Sequence, residues 1–251
     1  MHTVITRLRR AGCVFAEDEA RLLTEAARTP AELDDLVTRR VAGLPLEHLL
    51  GWAEFHGHRI TVDPGVFVPR RRTELLVDQA AALGGHVVVD LCCGSGAVGV
   101  ALAAELGETE LHAADIDPAA VRCARRNVEP AGGAVHEGDL FTPLPTHLRG
   151  RVDLLVVNAP YVPTDAIAMM PPEARDHEPR VALDGGGDGV DVHRRVTAEA
   201  AHWLAPGGHL LIETGEAQAP VTAAAFTAGG LAPRIAHSEE LSGTVVVGAL
   251  R

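Results

Sequence analysis

Asn158-Ala159-Pro160-Tyr161 puts an amide, a main-chain carbonyl ahead of proline and an aromatic ring into one short run. It follows the apolar stretch Val152-Asp153-Leu154-Leu155-Val156-Val157, which reads as a buried strand of a parallel sheet. Ligands of open α/β sheets bind at the carboxyl ends of such strands. The chemistry these groups suit is the orienting of a planar amide or amine. The Asn158 side-chain oxygen and the Ala159 carbonyl would each accept one N–H, and Tyr161 would pack on the plane. The plainer alternative is a strand-to-loop turn in which Asn158 satisfies its own backbone. The reacting group has to come from elsewhere in the chain.

A second constellation supplies a place for it. Val87-Val88-Val89 reads as a strand ending in Asp90, followed by the turn Leu91-Cys92-Cys93-Gly94-Ser95-Gly96 and a helix from Ala97. Gly94 to Gly99 fits G-x-G-x-x-G, and Asp115 lies about 20 residues on, where a dinucleotide fold places its ribose-binding acid. A nicotinamide or flavin is therefore one candidate. S-adenosylmethionine is the better one, because a carboxylate at Asp90 would repel a pyrophosphate but favour a cationic methionine end. Gly138-Asp139, after a third short strand, could accept a hydrogen bond from an adenine amino group.

The elements that must position these groups can be read along the chain. Residues from about 3 to 43 form short helices, with Thr29-Pro30-Ala31-Glu32 as a cap and a first-turn proline. Leu33, Leu36, Val37 and Val41 fall on one face of the helix opened there. From Glu54 to Val62 the pattern is β, with a turn at Asp63-Pro64-Gly65 and a second arm at Val66-Phe67-Val68. Strands and helices then alternate: strands at 87–89, 111–114, 134–137, 152–157, 209–213 and 244–247 predict a mostly parallel, doubly wound sheet.

Composition excludes several function classes. The 251 residues carry a net charge of −12 and contain 47% hydrophobic residues. Every basic residue is arginine, which removes Schiff-base chemistry and a phosphate-loop lysine. An acidic chain is a poor match for duplex nucleic acid. No apolar run would span a bilayer and no signal segment is evident, so a cytoplasmic protein with no membrane partner is expected. Cys13, Cys92, Cys93 and Cys123 lack metal or disulfide spacing, and His56 and His58 have no third ligand in view. No metal site is expected.

Six segments together resemble the HemK/PrmC family of protein-glutamine N5-methyltransferases. They are Pro45 to Gly51 with Phe55-His56-Gly57, Phe67 to Val77, Asp90 to Gly96, Asn158 to Tyr161, Glu178 to Gly186, and Glu213 to Gln218. The resemblance implies a seven-stranded, Rossmann-like methyltransferase sheet at 70–251, a linking β-hairpin at 51–69 and a small helical substrate-recognition domain at 1–50. It implies that Thr73, Glu74, Asp90, Cys92, Cys93, Gly94, Ser95, Gly96, Asp115, Asp139, Leu140 and Asn158 hold S-adenosylmethionine. Asn158, Ala159, Pro160 and Tyr161 would carry catalysis on an exposed glutamine of a protein, such as the GGQ loop of a release factor.

Three positions depart from the family pattern. Cys92 and Cys93 stand where it shows glycine and threonine, Ala159 stands where it shows proline, and the helical region ahead of the hairpin is shorter. Two other functions stay open at this stage: amino-methylation of a flipped nucleic-acid base, and a cofactor-binding relative without turnover.

Overall fold

The computed structural model describes residues 1–250. Helices α1 (His2–Arg10), α2 (Ala16–Ala26) and α3 (Pro30–Val41) open the chain. The Glu32 N–H donates to the Thr29 hydroxyl at 3.1 Å and Pro30 starts α3, so the cap read from sequence is present. Leu8, Ala16, Ala20, Leu23, Leu36 and Val37 pack into a core of their own. Val41, expected on that face, is exposed at the end of α3. Arg40 is buried and pairs with Glu19 and with Glu173, so it ties these helices to the segment at 163–186.

A short helix α4 (Leu46–Leu50) leads into the hairpin β1 (Trp52–Phe55) and β2 (His58–Thr61). The turn lies at His56-Gly57, both with left-handed φ (49° and 74°), the two-residue geometry that matches strand twist. The sequence placed it at Asp63-Pro64-Gly65 with a second arm at 66–68, and that expectation is corrected. A turn does form at 63–66, but no ladder flanks it. Instead Val62, Val66 and Val68 sink into the main core.

The remaining elements are α5 (Glu74–Ala81), β3 (Val87–Leu91), α6 (Ala97–Leu106), β4 (Glu110–Asp115), α7 (Pro118–Val128), β5 (Ala134–Glu137), β6 (Val152–Val157), α8 (Pro172–His177), α9 (Asp191–Ala200), β7 (Leu204–Glu213), α10 (Ala219–Ala228), β8 (Leu231–Ser238) and β9 (Gly243–Leu250). The main sheet has seven strands in the order β5-β4-β3-β6-β7-β9-β8. Pairs from β5 to β7 are parallel, and β9 runs antiparallel to both its neighbours. This is the doubly wound architecture expected, with β8 added at an edge. Its run Leu-Ala-Pro-Arg-Ile-Ala-His-Ser is half exposed, and Pro233 is tolerated because an edge strand need not donate on both sides.

One face of the sheet is covered by the hairpin, α5, α6 and α7. The other is covered by α9, α10 and the segment from Leu140 to Leu148. Strand order reverses between β3 and β6, whose last residues, Leu91 and Val157, are paired. A reversal of this kind opens a crevice at the carboxyl ends of the strands.

Candidate active site

The β3–α6 turn is shaped by close approach. The Gly99 N–H donates to Asp90 Oδ2 at 2.9 Å. A Cβ at position 99 would meet both that oxygen and Leu111 at 3.2 Å, which is why the third glycine of the motif is a glycine. Asp115, at the end of β4, accepts from the Gly94 N–H at 2.8 Å and the Asp117 N–H at 2.9 Å. The turn and the second carboxylate are thereby locked together.

Two residues here hold left-handed backbone without being glycine: Cys92 at φ 56° and Leu140 at φ 47°. Such conformations cost energy and persist where surrounding structure enforces them. For Cys92 this explains why the family pattern shows glycine at that position.

A cavity of about 260 Å³ lies at the switch point, with Asp90, Asp115, Asp139, Cys92, Asn158 and Tyr161 on its wall. Thr73, Cys93, Gly94, Ser95, Leu140, Ala159 and Pro160 line it too. Two further residues expected to hold the cofactor, Glu74 and Gly96, are not on the cavity wall. Glu74 accepts from the His56 N–H at 3.1 Å and so fastens α5 to the hairpin. Gly96 faces α7, where a Cβ would meet Val128 at 2.6 Å. His56 itself places Nε2 3.1 Å from Asp78 Oδ1, within hydrogen-bond reach.

Three carboxylates converge on the cavity, unequally compensated. Asp90 is 2% exposed. Burial pushes its carboxyl up to about 7, the nearby Asp115 charge adds to this, and the Gly99 N–H opposes it. Burial raises Asp115 as well. Asp139 differs, because Arg195 of α9 reaches it at 2.6 Å. Burial and the neighbouring carboxylates also raise the Cys92 and Cys93 thiols well above their ordinary value, so both stay protonated and unreactive near neutrality.

At the end of β6, Asn158 Nδ2 lies 3.4 Å from Thr73 Oγ1, which leaves Oδ1 of the same amide free to accept. The nearly buried Ala159 presents a carbonyl with no donor partner among the described residues. Tyr161 is fixed at two points: its hydroxyl donates to Glu213 Oε1 at 2.9 Å and accepts from Arg72 Nε at 2.9 Å. Burial beside Glu213 holds the phenol well above its usual range, so it stays neutral. The segment at 163–186 folds back over this run. The Val162 N–H donates to the Leu183 carbonyl and the Gly185 N–H to the Val162 carbonyl, each at 2.9 Å. A Cβ at Gly185 would meet the Pro160 and Tyr161 backbone at 2.7 Å. Met170 of this segment reaches the cavity wall.

Arg72, Arg195, Glu178 and Glu213 are absent from the residues expected at the site. Glu178 accepts from the Val68 N–H at 3.1 Å and from Arg70 at 2.5 Å, joining the hairpin exit to the covering segment. The free oxygens of Glu178 and Glu213 are both buried and without partners. The acidic types of these two residues were visible in the sequence, but their arginine partners are contacts across the fold.

The cavity fits S-adenosylmethionine rather than a dinucleotide. The Asp90 carboxylate ahead of the glycine turn would repel a pyrophosphate, and, buried with no cation beside it, suits a positively charged ligand.

Comparison with known proteins agrees. The methyltransferase small domain model matches residues 57–172. The release factor glutamine methyltransferase of Geobacter sulfurreducens is 41% identical over 199 residues, 78% of this chain and 69% of that protein. The 4-amino-L-phenylalanine/4-methylamino-L-phenylalanine methyltransferase of Streptomyces pristinaespiralis is 37% identical over 214 residues, 82% of this chain and 73% of that protein. Among solved structures, a methyltransferase from Pyrococcus furiosus superposes with a TM-score of 0.57 at 16% identity, covering 76% of this chain and 88% of that one. This last likeness bears on the fold alone. No helix among the described residues is long and apolar enough to cross a membrane.

Proposed function

We propose a reaction for a chain that belongs to the release factor glutamine methyltransferase family: transfer of one methyl group from S-adenosylmethionine to the side-chain N5 of a glutamine in a protein. The observation that carries it is the pairing of Leu91 with Val157. It sets the glycine turn with its carboxylates beside Asn158-Ala159-Pro160-Tyr161 at one crevice.

S-adenosylmethionine supplies a sulfonium-bound methyl group. Asp90, Asp115 and Asp139, with Cys92 to Ser95 and Leu140, all on the cavity wall, would hold it, with Asp90 toward the cationic end. An amide nitrogen is a poor nucleophile, because its lone pair is delocalised into the carbonyl. The chain therefore has to fix its direction and stabilise the charge that grows on it. Asn158 Oδ1 and the Ala159 carbonyl accept one N–H each, which points the nitrogen at the methyl. Tyr161, held by Arg72 and Glu213, packs on the amide plane. With the cofactor bound, methyl transfer would leave its sulfur as a neutral thioether, and the proton that alkylation makes acidic would pass to water from the hydrogen bond held by Asn158 Oδ1 or the Ala159 carbonyl. No strong base is needed beforehand.

Alanine at 159 keeps the carbonyl and gives up only the fixed φ of proline. Pro160 still biases position 159 toward extended backbone. The partner we propose is a release factor presenting its GGQ loop.

The test is mass spectrometry of such a factor incubated with the purified protein and S-adenosylmethionine. A gain of one methyl group on that glutamine is expected. No gain on the protein, together with methylation of 4-amino-L-phenylalanine or of RNA in parallel reactions, would move the assignment to a small amine or a base.

A further inference from the structure

A group of polar side chains at the opposite end of β4 has no part in this reaction. Glu110 and His112 are two apart on the strand, so they share one face of it. His147, from the 3₁₀ turn at Thr146–Leu148, comes up against them. The three offer one ligand atom each, all within 4.8 Å of one another.

The spacing is informative. Glu110 Oε1 lies 3.5 Å from His112 Nε2 and 3.4 Å from His147 Nε2. Both are long for a hydrogen bond to a carboxylate. They match instead the edge of a tetrahedron around zinc, about 3.3–3.4 Å for ligands at about 2.0–2.1 Å from the ion.

The groups behind the three are placed as supporting groups around a metal are placed. Arg151 holds the other Glu110 oxygen, Oε2, at 3.1 Å and leaves Oε1 to the imidazoles. His112 Nδ1 lies 3.0 Å from His136 Nε2. When His112 donates from Nδ1, its Nε2 lone pair faces the carboxylate oxygen, a meeting of acceptors that a cation between them resolves.

We propose that Glu110, His112 and His147 form a site for one divalent transition-metal ion of the zinc class, with a fourth position open to water. The residues belong to β4 and to the segment at 138–151, whose other end carries Asp139 and Leu140. The ion would clamp that segment to the sheet on the side away from the methyl-transfer crevice.

The test uses the full chain without an affinity tag, freed of metal by chelation and titrated with Zn²⁺ alone and with Co²⁺ alone. One equivalent of either ion is expected, with the visible absorption of tetrahedral cobalt and a rise in Tm. His147→Ala, an exposed position whose loss leaves the core intact, should weaken binding at least tenfold and abolish the cobalt band. Glu110→Gln should do the same, and neither should alter methyl transfer. Absence of one-equivalent binding overturns the proposal. So does affinity unchanged in both variants, which would place the ion on other histidines among the thirteen in the chain.

Discussion

The Tyr161 hydroxyl donates to Glu213 Oε1 at 2.9 Å, joining the end of β6 to the end of β7. The bond keeps the ring from swinging off the acceptor site, and Arg72 reinforces it from the hairpin side. Tyr161→Phe retains the ring and loses both contacts. We expect kcat/KM for the glutamine acceptor to fall about tenfold, roughly 1.4 kcal/mol of transition-state stabilisation, with cofactor affinity unchanged. Steady-state kinetics with cofactor titration will separate the two, and unaltered kcat/KM would show that the hydroxyl has no orienting role.

Asn158→Ala removes one of the two acceptors proposed for the target amide. Loss of a directed hydrogen bond at a reacting centre typically costs on the order of a hundredfold or more in kcat. The cradle is built by other residues, so cofactor affinity should stay within a few-fold. Single-turnover transfer from labelled cofactor reads the first quantity and calorimetry the second. Full activity in the variant rules the clamp out.

The Asp90 carboxyl titrates near 7 because it is buried without a cation. A cationic ligand favours its ionised form, so binding should be strongest above about pH 8 and weaken by up to about tenfold per pH unit below pH 7. Apo stability runs the other way. The raised folded value, against an ordinary 3.8, means that the native protein holds a proton the unfolded chain releases. Stability from this group is therefore fully present below about pH 3.8, falls as the pH rises from there to about 7, and is absent above. Asp90→Asn should flatten both dependences in calorimetric and thermal-melt series.

Cys92 stands at φ 56°, a region hostile to branched side chains. Cys92→Val should cost about 1–3 kcal/mol and loosen cofactor binding. Cys92→Gly should stay within about 1 kcal/mol of the parent, because relief of strain offsets lost packing and the added freedom of the unfolded chain. Denaturant midpoints of the two variants provide the comparison, and equal midpoints would show that the backbone there is unstrained.

The apolar strands and glycine turns of the sheet were legible because burial on both faces and left-handed turns each demand particular residue types. Asp90, Asp115 and Asn158 were legible for the same reason, since they close strands at the end where such sheets bind ligands. What escaped was set by partners distant in sequence. Arg72 reaches Tyr161 across 89 positions, and nothing local marks it apart from Arg70 and Arg71. The hairpin turn at His56-Gly57 was missed because Asp63-Pro64-Gly65 carries stronger turn chemistry. β8 was missed because its alternation is blurred by Pro233 and Arg234. Glu74 is expected at the site from its motif, while in the fold its Oε1 accepts from the His56 N–H, a contact set by tertiary structure that the motif does not show.

The pairing of Leu91 with Val157 also fixes a dimension. Neighbouring strands lie about 4.7–4.9 Å apart, and their ladder of hydrogen bonds resists stretching. On the proposed assignment, the gap between the group that gives the methyl and the group that takes it would be set by a ruler made of peptide backbone. Sequence drift in the loops can retune which acceptor is admitted without changing that distance. A scaffold of this kind preserves the transfer while leaving the choice of acceptor free to diverge.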